Sequence, residues 1–448
     1  MVYRRLRSVK HFSLALLGFL LAFVPAQAQY GPLLTGVGPV NRSMAGTSVA
    51  APLDGLGALY WNPATTSALP GSSLDFGVEL LSAPTHLASQ LPANAFGRGN
   101  PPIALFGSDR GDNGVFPLPS VGLVYRPDDS PWTYGLGVFA VAGFGVNYSA
   151  STTNPILMPQ PPNGGGLGSI FSEFQVLQIA PTISLQVSDR LSIGGGPTLN
   201  LATLRADPLL VASPNANGSY APGTHTRETW GGGFQAGAFY KLDGGWQVGA
   251  SFKSPQWFEP FRFQSTDEKG QSRVATFNLD LPMITSVGLA YTGFERWLVA
   301  TDLRYIDFAN ANGFRQSGFS PTGAVQGLGF RSIFAVSVGA QYQMTDTLSL
   351  RAGYSYNENP IADSQSSFNV ASPLVLEHTL YVGASYRVGD SLTLSLAYAH
   401  GFQNSIEGPL VTPFGAVPGS SVRNTASMDS LVLGATVRFG ACGIASGR

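Results

Sequence analysis

Four histidines follow residue 28, namely His86, His225, His378 and His400, and none stands in a triad-like or His-Glu-x-x-His-like setting. The one cysteine, Cys442, lies nine residues or fewer from the C-terminus and has no partner for an internal disulfide. Charged residues make up 11% of the chain, and the net charge is −1. That balance gives no reason to expect nucleic-acid binding. No catalytic residue, metal site or cofactor is expected. The chemistry on offer is the binding of apolar groups.

Two sets of residues could carry that binding. Apolar side chains occur where solvated loops do not need them: Phe96, Ile103, Leu105 and Phe106 in one segment, and Ile156, Leu157, Met158 and Ile170 in another. Such groups mark a binding surface or pack on one another as a lid. Arg351 and Arg387 could hold a carboxylate by bidentate pairing. The bland reading of both arginines is an ion pair with Asp302 or Glu79.

The elements that must position these groups are strands. In residues 72–82, Leu74, Phe76, Val78 and Leu80 fall on one face, and Asp75, Gly77 and Glu79 on the other. Carboxylates opposite large apolar groups suit a strand with lipid outside and water inside. The pattern recurs at Leu177–Ile179–Pro181–Ile183, at Leu348–Leu350–Ala352–Tyr354, and at Leu392–Leu394–Leu396–Tyr398. Short turns alternate with long segments. The turns are residues 126–131, 188–190, 243–245, 292–296, 344–347 and 388–391; the long segments are 83–119, 149–172, 208–226, 265–276, 308–330, 357–375 and 401–428. Thirteen connections predict an all-β, antiparallel transmembrane barrel of about fourteen strands, with short periplasmic turns and long external loops. Tyr and Trp flank the short turns, as an interfacial girdle would.

The barrel has company at its start. Residues 1–28 carry Arg4, Arg5, Arg7 and Lys10, an apolar run and Ala26-Gln27-Ala28, which is the form of a cleaved export signal. Residues 29–71 are rich in Gly and Pro and nearly free of charge, yet hold Leu33, Leu34, Leu56, Leu59, Tyr60 and Trp61. They read as a compact, irregular plug within the barrel, since irregular backbone survives at membrane depth only inside protein or a cavity. The barrel is expected over 72–439, followed by a tail, 440–448.

Several segments together resemble the outer-membrane transporters for long-chain fatty acids and aromatic hydrocarbons, the FadL/TodX-like (OMPP1) family. They are Asn62-Pro63-Ala64 behind a small-residue run, GLGVFAVAGFGVNY at 135–148, LPMITSVGLAYTGFERWLVATDLRY at 281–305 and TDTLSLRAGYSYNENP at 345–360. The resemblance implies a monomer in the outer membrane of a Gram-negative bacterium, in contact with lipid, lipopolysaccharide and the barrel-assembly machinery. It implies passive uptake of hydrophobic molecules through a plugged lumen, with lateral exit at a kinked third strand. Phe139, Gly143, Phe144 and Gly145 would form that gate, Asn62, Pro63 and Ala64 the plug motif, and Phe96, Phe106, Leu157, Met158, Arg351 and Arg387 substrate contacts. Glycines in residues 142–145 also fit a plain bulge with no transport role. The rival functions are a non-specific diffusion porin and a surface adhesin.

Overall fold

The computed structural model describes residues 30–223, 225–267 and 269–439. The expected signal and tail lie outside them. Fourteen strands close one antiparallel barrel. In chain order they are β1 (Ser72–Ser82), β2 (Phe116–Tyr125), β3 (Trp132–Tyr148), β4 (Ile170–Gln186), β5 (Leu191–Asp207), β6 (Arg227–Lys241) and β7 (Trp246–Lys253). The second half comprises β8 (Ile284–Tyr291), β9 (Trp297–Ile306), β10 (Ile333–Gln343), β11 (Leu348–Asn357), β12 (His378–Val388), β13 (Leu392–Gly408) and β14 (Ser421–Phe439). β1 pairs with β14 from Ser72↔Phe439 to Ser82↔Asp429, which closes the ring. All six short turns fall where the sequence puts them.

The alternation is real in three dimensions. Phe76 is 44% exposed on the outer wall, whereas Asp75 is 2% exposed toward the lumen. The long-loop end differs from expectation. Residues 401–428 are mostly strand, because β13 and β14 continue beyond the apolar belt and only 409–420 form the connection. Residues 83–119 hold a hairpin, Thr85–Leu91 with Leu105–Arg110, that pairs with the upper part of β14. Residues 265–276 lie largely within a second hairpin, Phe261–Thr266 with Ser272–Phe277. Outside the bilayer a strand can carry polar residues on its outer face, such as Glu407 and Arg423, so apolar alternation no longer reports it.

Residues 30–71 fill the lumen. They are not wholly irregular: α1 (Gly38–Ser43), α2 (Gly55–Trp61) and a 3-10 turn (Pro63–Ala68) run through them. Helices of 6 and 7 residues are too short to show a period in sequence. α1 packs on β12, β13, β14 and β1, and the 3-10 turn packs on β4, β5 and β6 across the barrel.

Two buried ion pairs fasten this segment. Arg42 of α1 pairs with Glu79 of β1, and Ser430 of β14 donates to the same carboxylate oxygen at 2.6 Å. On β9, Arg304 donates to Asp302 Oδ2 at 2.7 Å, to the Gly46 carbonyl at 2.8 Å and to the Tyr30 hydroxyl at 3.1 Å. Asp302 Oδ2 also accepts the backbone N–H of Ser48 (3.0 Å) and Val49 (3.2 Å). Glu79 and Asp302 therefore already have arginine partners, and neither meets Arg351 or Arg387. Removing one member of a buried pair strands the other and costs about 3–5 kcal/mol, while an exposed pair contributes about 0–1 kcal/mol. Asp302→Asn should accordingly lower the stability of the barrel to denaturant by about 3 kcal/mol. Asp243→Asn, which breaks the exposed Arg190–Asp243 pair, should leave it unchanged within error. Equilibrium unfolding in detergent, followed by tryptophan fluorescence, measures both.

Candidate lateral opening and plug contacts

β2 and β3 are paired only from Tyr125↔Tyr134 to Ser120↔Phe139. Above Phe139, β3 runs on to Tyr148 beside β4 alone. The register against β4 slips between Ala140 and Ala142, so Val141 is a bulge. A bulge reverses the faces: Phe139 points inward below it, and Val146 and Tyr148 point inward above it. Ala140, placed outward by simple alternation, is covered.

The plug replaces the missing strand. Leu34 donates its N–H to the Val141 carbonyl at 3.0 Å, and the Gly143 N–H donates to the Pro32 carbonyl at 2.9 Å. Higher up, the Asp112 N–H donates to the Asn147 carbonyl at 2.8 Å, and the Asn147 N–H donates to Asn113 Oδ1 at 2.9 Å. Between these two patches lie Phe144 and Gly145, facing a cavity of about 70 Å³. Its walls include Phe116, Leu118, Phe144, Phe174, Leu374 and Leu376. Phe144 and Phe174 stack with ring centroids 5.1 Å apart, and Phe174 meets Phe261 of the hairpin above at 6.4 Å. A Cβ on Gly145 would lie 3.3 Å from the Phe116 ring, so this glycine keeps the gap between β2 and β3 clear. No lining residue is charged; Thr85, Gln175 and Ser427 are the polar ones.

Of the expected gate residues, Gly143, Phe144 and Gly145 line the cavity. Phe139 does not. It is fully buried below the bulge and meets Tyr60 edge-on at 5.5 Å, and the Tyr60 hydroxyl donates to the Leu34 carbonyl at 3.0 Å. It buttresses the plug segment that bonds to the bulge.

Asn62 joins plug to wall. Its Nδ2 donates to the Val49 carbonyl at 2.7 Å and to the Ala238 carbonyl of β6 at 3.0 Å. Its Oδ1 accepts the Ala64 N–H at 3.1 Å and caps the 3-10 turn that Pro63 begins. The approach depends on Gly237, whose Cβ would fall 1.9 Å from Asn62 Oδ1.

The expected substrate contacts are scattered. Phe106 is 76% exposed on the outer face of the extramembrane hairpin, and Phe96 is exposed at its tip. Leu157 is fully buried with Leu87, Tyr148 and Val422 in a separate core under the loops, and Met158 follows it in the same turn. Arg351 and Arg387 stand at the short-turn end. Arg351 donates to Gln341 (2.7 Å) and Ser385 (2.6 Å), and Arg387 donates to the Asp346 carbonyl. None of the six lines the cavity. Sequence reasoning missed Leu81, Phe116, Leu118 and Phe174, although parity marks them. They share their faces with Asp75, Ser120 and Gln178, and are large apolar groups on the lumen side where polar ones are expected.

Comparisons with known proteins agree with this architecture. The crystal structure of the toluene transporter TodX from Pseudomonas putida superposes with a TM-score of 0.66 at 18% identity, covering 90% of this chain and 99% of that one. The Ralstonia pickettii toluene transporter TbuX gives 0.63 at 20%, covering 91% and 99%, and a Pseudomonas aeruginosa FadL homologue gives 0.66 at 15%, covering 92% and 100%. These likenesses establish the fold. In sequence, a 47 kDa outer membrane protein of Pasteurella multocida is 23% identical over 196 residues, 39% of this chain and 44% of that protein, so the match spans less than half of its length. The family described as outer membrane protein transport protein (OMPP1/FadL/TodX) matches residues 20–440, and the chain belongs to that family.

Proposed function

We propose that this protein takes up small, uncharged hydrophobic molecules and releases them sideways into the membrane between β2 and β3. The observation that carries the reading is the end of the β2–β3 ladder at Phe139, with an apolar cavity at the gap. In a bilayer the freed backbone groups of β3 must be satisfied by protein or face a cavity, and Pro32 and Leu34 of the plug satisfy two of them. An apolar solute gains about 25 cal/mol per Å² removed from water on entering such a cavity. Leaving sideways, it never returns to water, and no energy source is needed.

The cavity also speaks to the solute. At about 70 Å³ it is small, about half the roughly 150 Å³ of a cavity that holds benzene, so even a single ring must widen it on passing. It offers no cation for a carboxylate. Both features favour a monoaromatic hydrocarbon over a long-chain fatty acid, in line with the toluene transporters that share the fold. A porin reading requires an open polar lumen, whereas Trp61, Asn62 and Ala64 of the plug are buried against the wall.

Gly143→Val with Gly145→Val should fill the gap and press on Phe116 while leaving the barrel assembled. A barrier raised by about 1.4 kcal/mol already slows passage about tenfold. Uptake of radiolabelled toluene should fall by that much or more at equal surface amounts, with leakage of small polar solutes unchanged. Unchanged toluene uptake would rule out lateral exit here.

Asn62→Ala removes three hydrogen bonds and takes the side-chain donor from the buried Val49 carbonyl, at about 1–3 kcal/mol for a buried group left unpaired. The heat-modifiable gel shift of the barrel should persist while toluene uptake drops. Equal loss of folded barrel and of uptake would make the residue purely structural.

A further inference from the structure

A second cavity, of about 170 Å³, lies at the short-turn end of the lumen, and it shares no residue with the apolar one at the gap. Strand parity builds it. Arg351 of β11, Arg387 of β12 and Arg438 of β14 line it, each on the lumen face of its strand, opposite the outward Leu350, Tyr386 and Val437. Thr347, Ser349 and Thr393 add hydroxyls between the arginines, and Leu53 of the plug closes the inner side.

These arginines are unneutralised among the described residues. None of the three is in an ion pair. Arg351 donates to Gln341 and Ser385, Arg387 donates to the Asp346 carbonyl, and no hydrogen bond ties the Arg438 guanidinium to another described residue. A guanidinium has five N–H donors, so most of those at the cavity are unused. The carboxylate at its wall is that of exposed Asp346, whereas Asp54 and Asp75 line a neighbouring cavity. Three arginines less one aspartate leave a charge of +2 facing the space. Like charges around one cavity repel one another, and an anion between them removes that cost.

We propose that this cavity is an anion site for the phosphate group of a soluble compound on the short-turn side. A phosphate monoester carries about −1.5 to −2 at pH 7, which matches the charge of the wall. Its three terminal oxygens can meet guanidinium groups set on three strands, whereas a planar carboxylate has only two oxygens to offer. The volume is close to the roughly 150 Å³ of a cavity that holds benzene, so a phosphate enters with water around it. The site lies inside the ring, with the wall between it and lipid, so the phosphate comes from water and not from a bilayer headgroup. The inference goes beyond the transport reading and holds whether or not solute leaves through the wall.

The test titrates the full-length protein in a non-ionic detergent with sodium phosphate, at neutral pH and fixed ionic strength, by isothermal titration calorimetry. One phosphate should bind per chain, and acetate should compete about tenfold more weakly or worse. Arg351→Gln and Arg438→Gln should each weaken phosphate binding about tenfold, the loss of one charge-assisted contact. Arg190→Gln, exposed at another short turn, should bind as the parent does. The heat-modifiable gel shift identifies any variant that fails to assemble, and Arg387→Gln, at an exposed position, then takes its place with the same expected loss. Absence of saturable phosphate binding by the parent overturns the proposal, as does parent-like binding by the assembled arginine variants. Acetate binding as tight as that of phosphate overturns it too. Tighter binding of dihexanoyl phosphatidic acid than of inorganic phosphate would assign the site to a lipid headgroup and overturn the soluble source.

Discussion

Everything in this molecule follows from one constraint: a backbone N–H or C=O cannot be left unpaired in a bilayer. The β1–β14 seam meets it by closing the sheet. The plug meets it by burying itself inside the ring, where side chains pair its loose ends, as Asp302 of β9 does for Ser48 and Val49 and the plug's own Asn62 for Val49. At one place the wall itself stops pairing, above Phe139. There the plug backbone takes over, through Leu34 to Val141 and Gly143 to Pro32. Wall and plug are therefore one hydrogen-bonded system, and the opening exists only because the plug completes it.

That arrangement connects the lumen to the gap by a short path. Lys253 of β7 sits 3.6 Å over the Tyr60 ring, Tyr60 meets Phe139 edge-on, and the Tyr60 hydroxyl holds the Leu34 carbonyl. Leu34 in turn holds the bulge. A displacement of α2 would reach β3 through these contacts. The two buried arginines oppose such movement by tying the plug to β1 and β9, and Gly237 lets Asn62 tie it to β6.

Much of this was legible in the sequence, and the reason is periodicity. Where one face meets lipid and the other water, as at Phe76 and Asp75, alternation sets the strand and its orientation together. The six turns and the strand number follow. Legibility ends where the solvent changes. Beyond the bilayer, β13 and β14 lose the apolar face and read as loop, and within the lumen α1 and α2 are too short to show a period. The gap between β2 and β3 was half legible. Gly143 and Gly145 announced a break in the ladder, but the ring of Leu81, Phe116, Leu118 and Phe174 around it required reading apolar residues at lumen parity as a signal. Arg351 and Arg387 show the opposite error: their charge suggested a carboxylate contact, but they stand at the short-turn end and bond to Gln341, Ser385 and the Asp346 carbonyl.

The most direct measurement of lateral exit is reversible closure of the gap in a single sample. Phe116→Cys with Gly145→Cys places two thiols across it, with Cys442→Ser removing the native one. Bridging them with a short reducible cross-linker should stop toluene uptake, and reductant should restore it in the same vesicles. Uptake that continues at the parent rate with the bridge in place would contradict passage between β2 and β3.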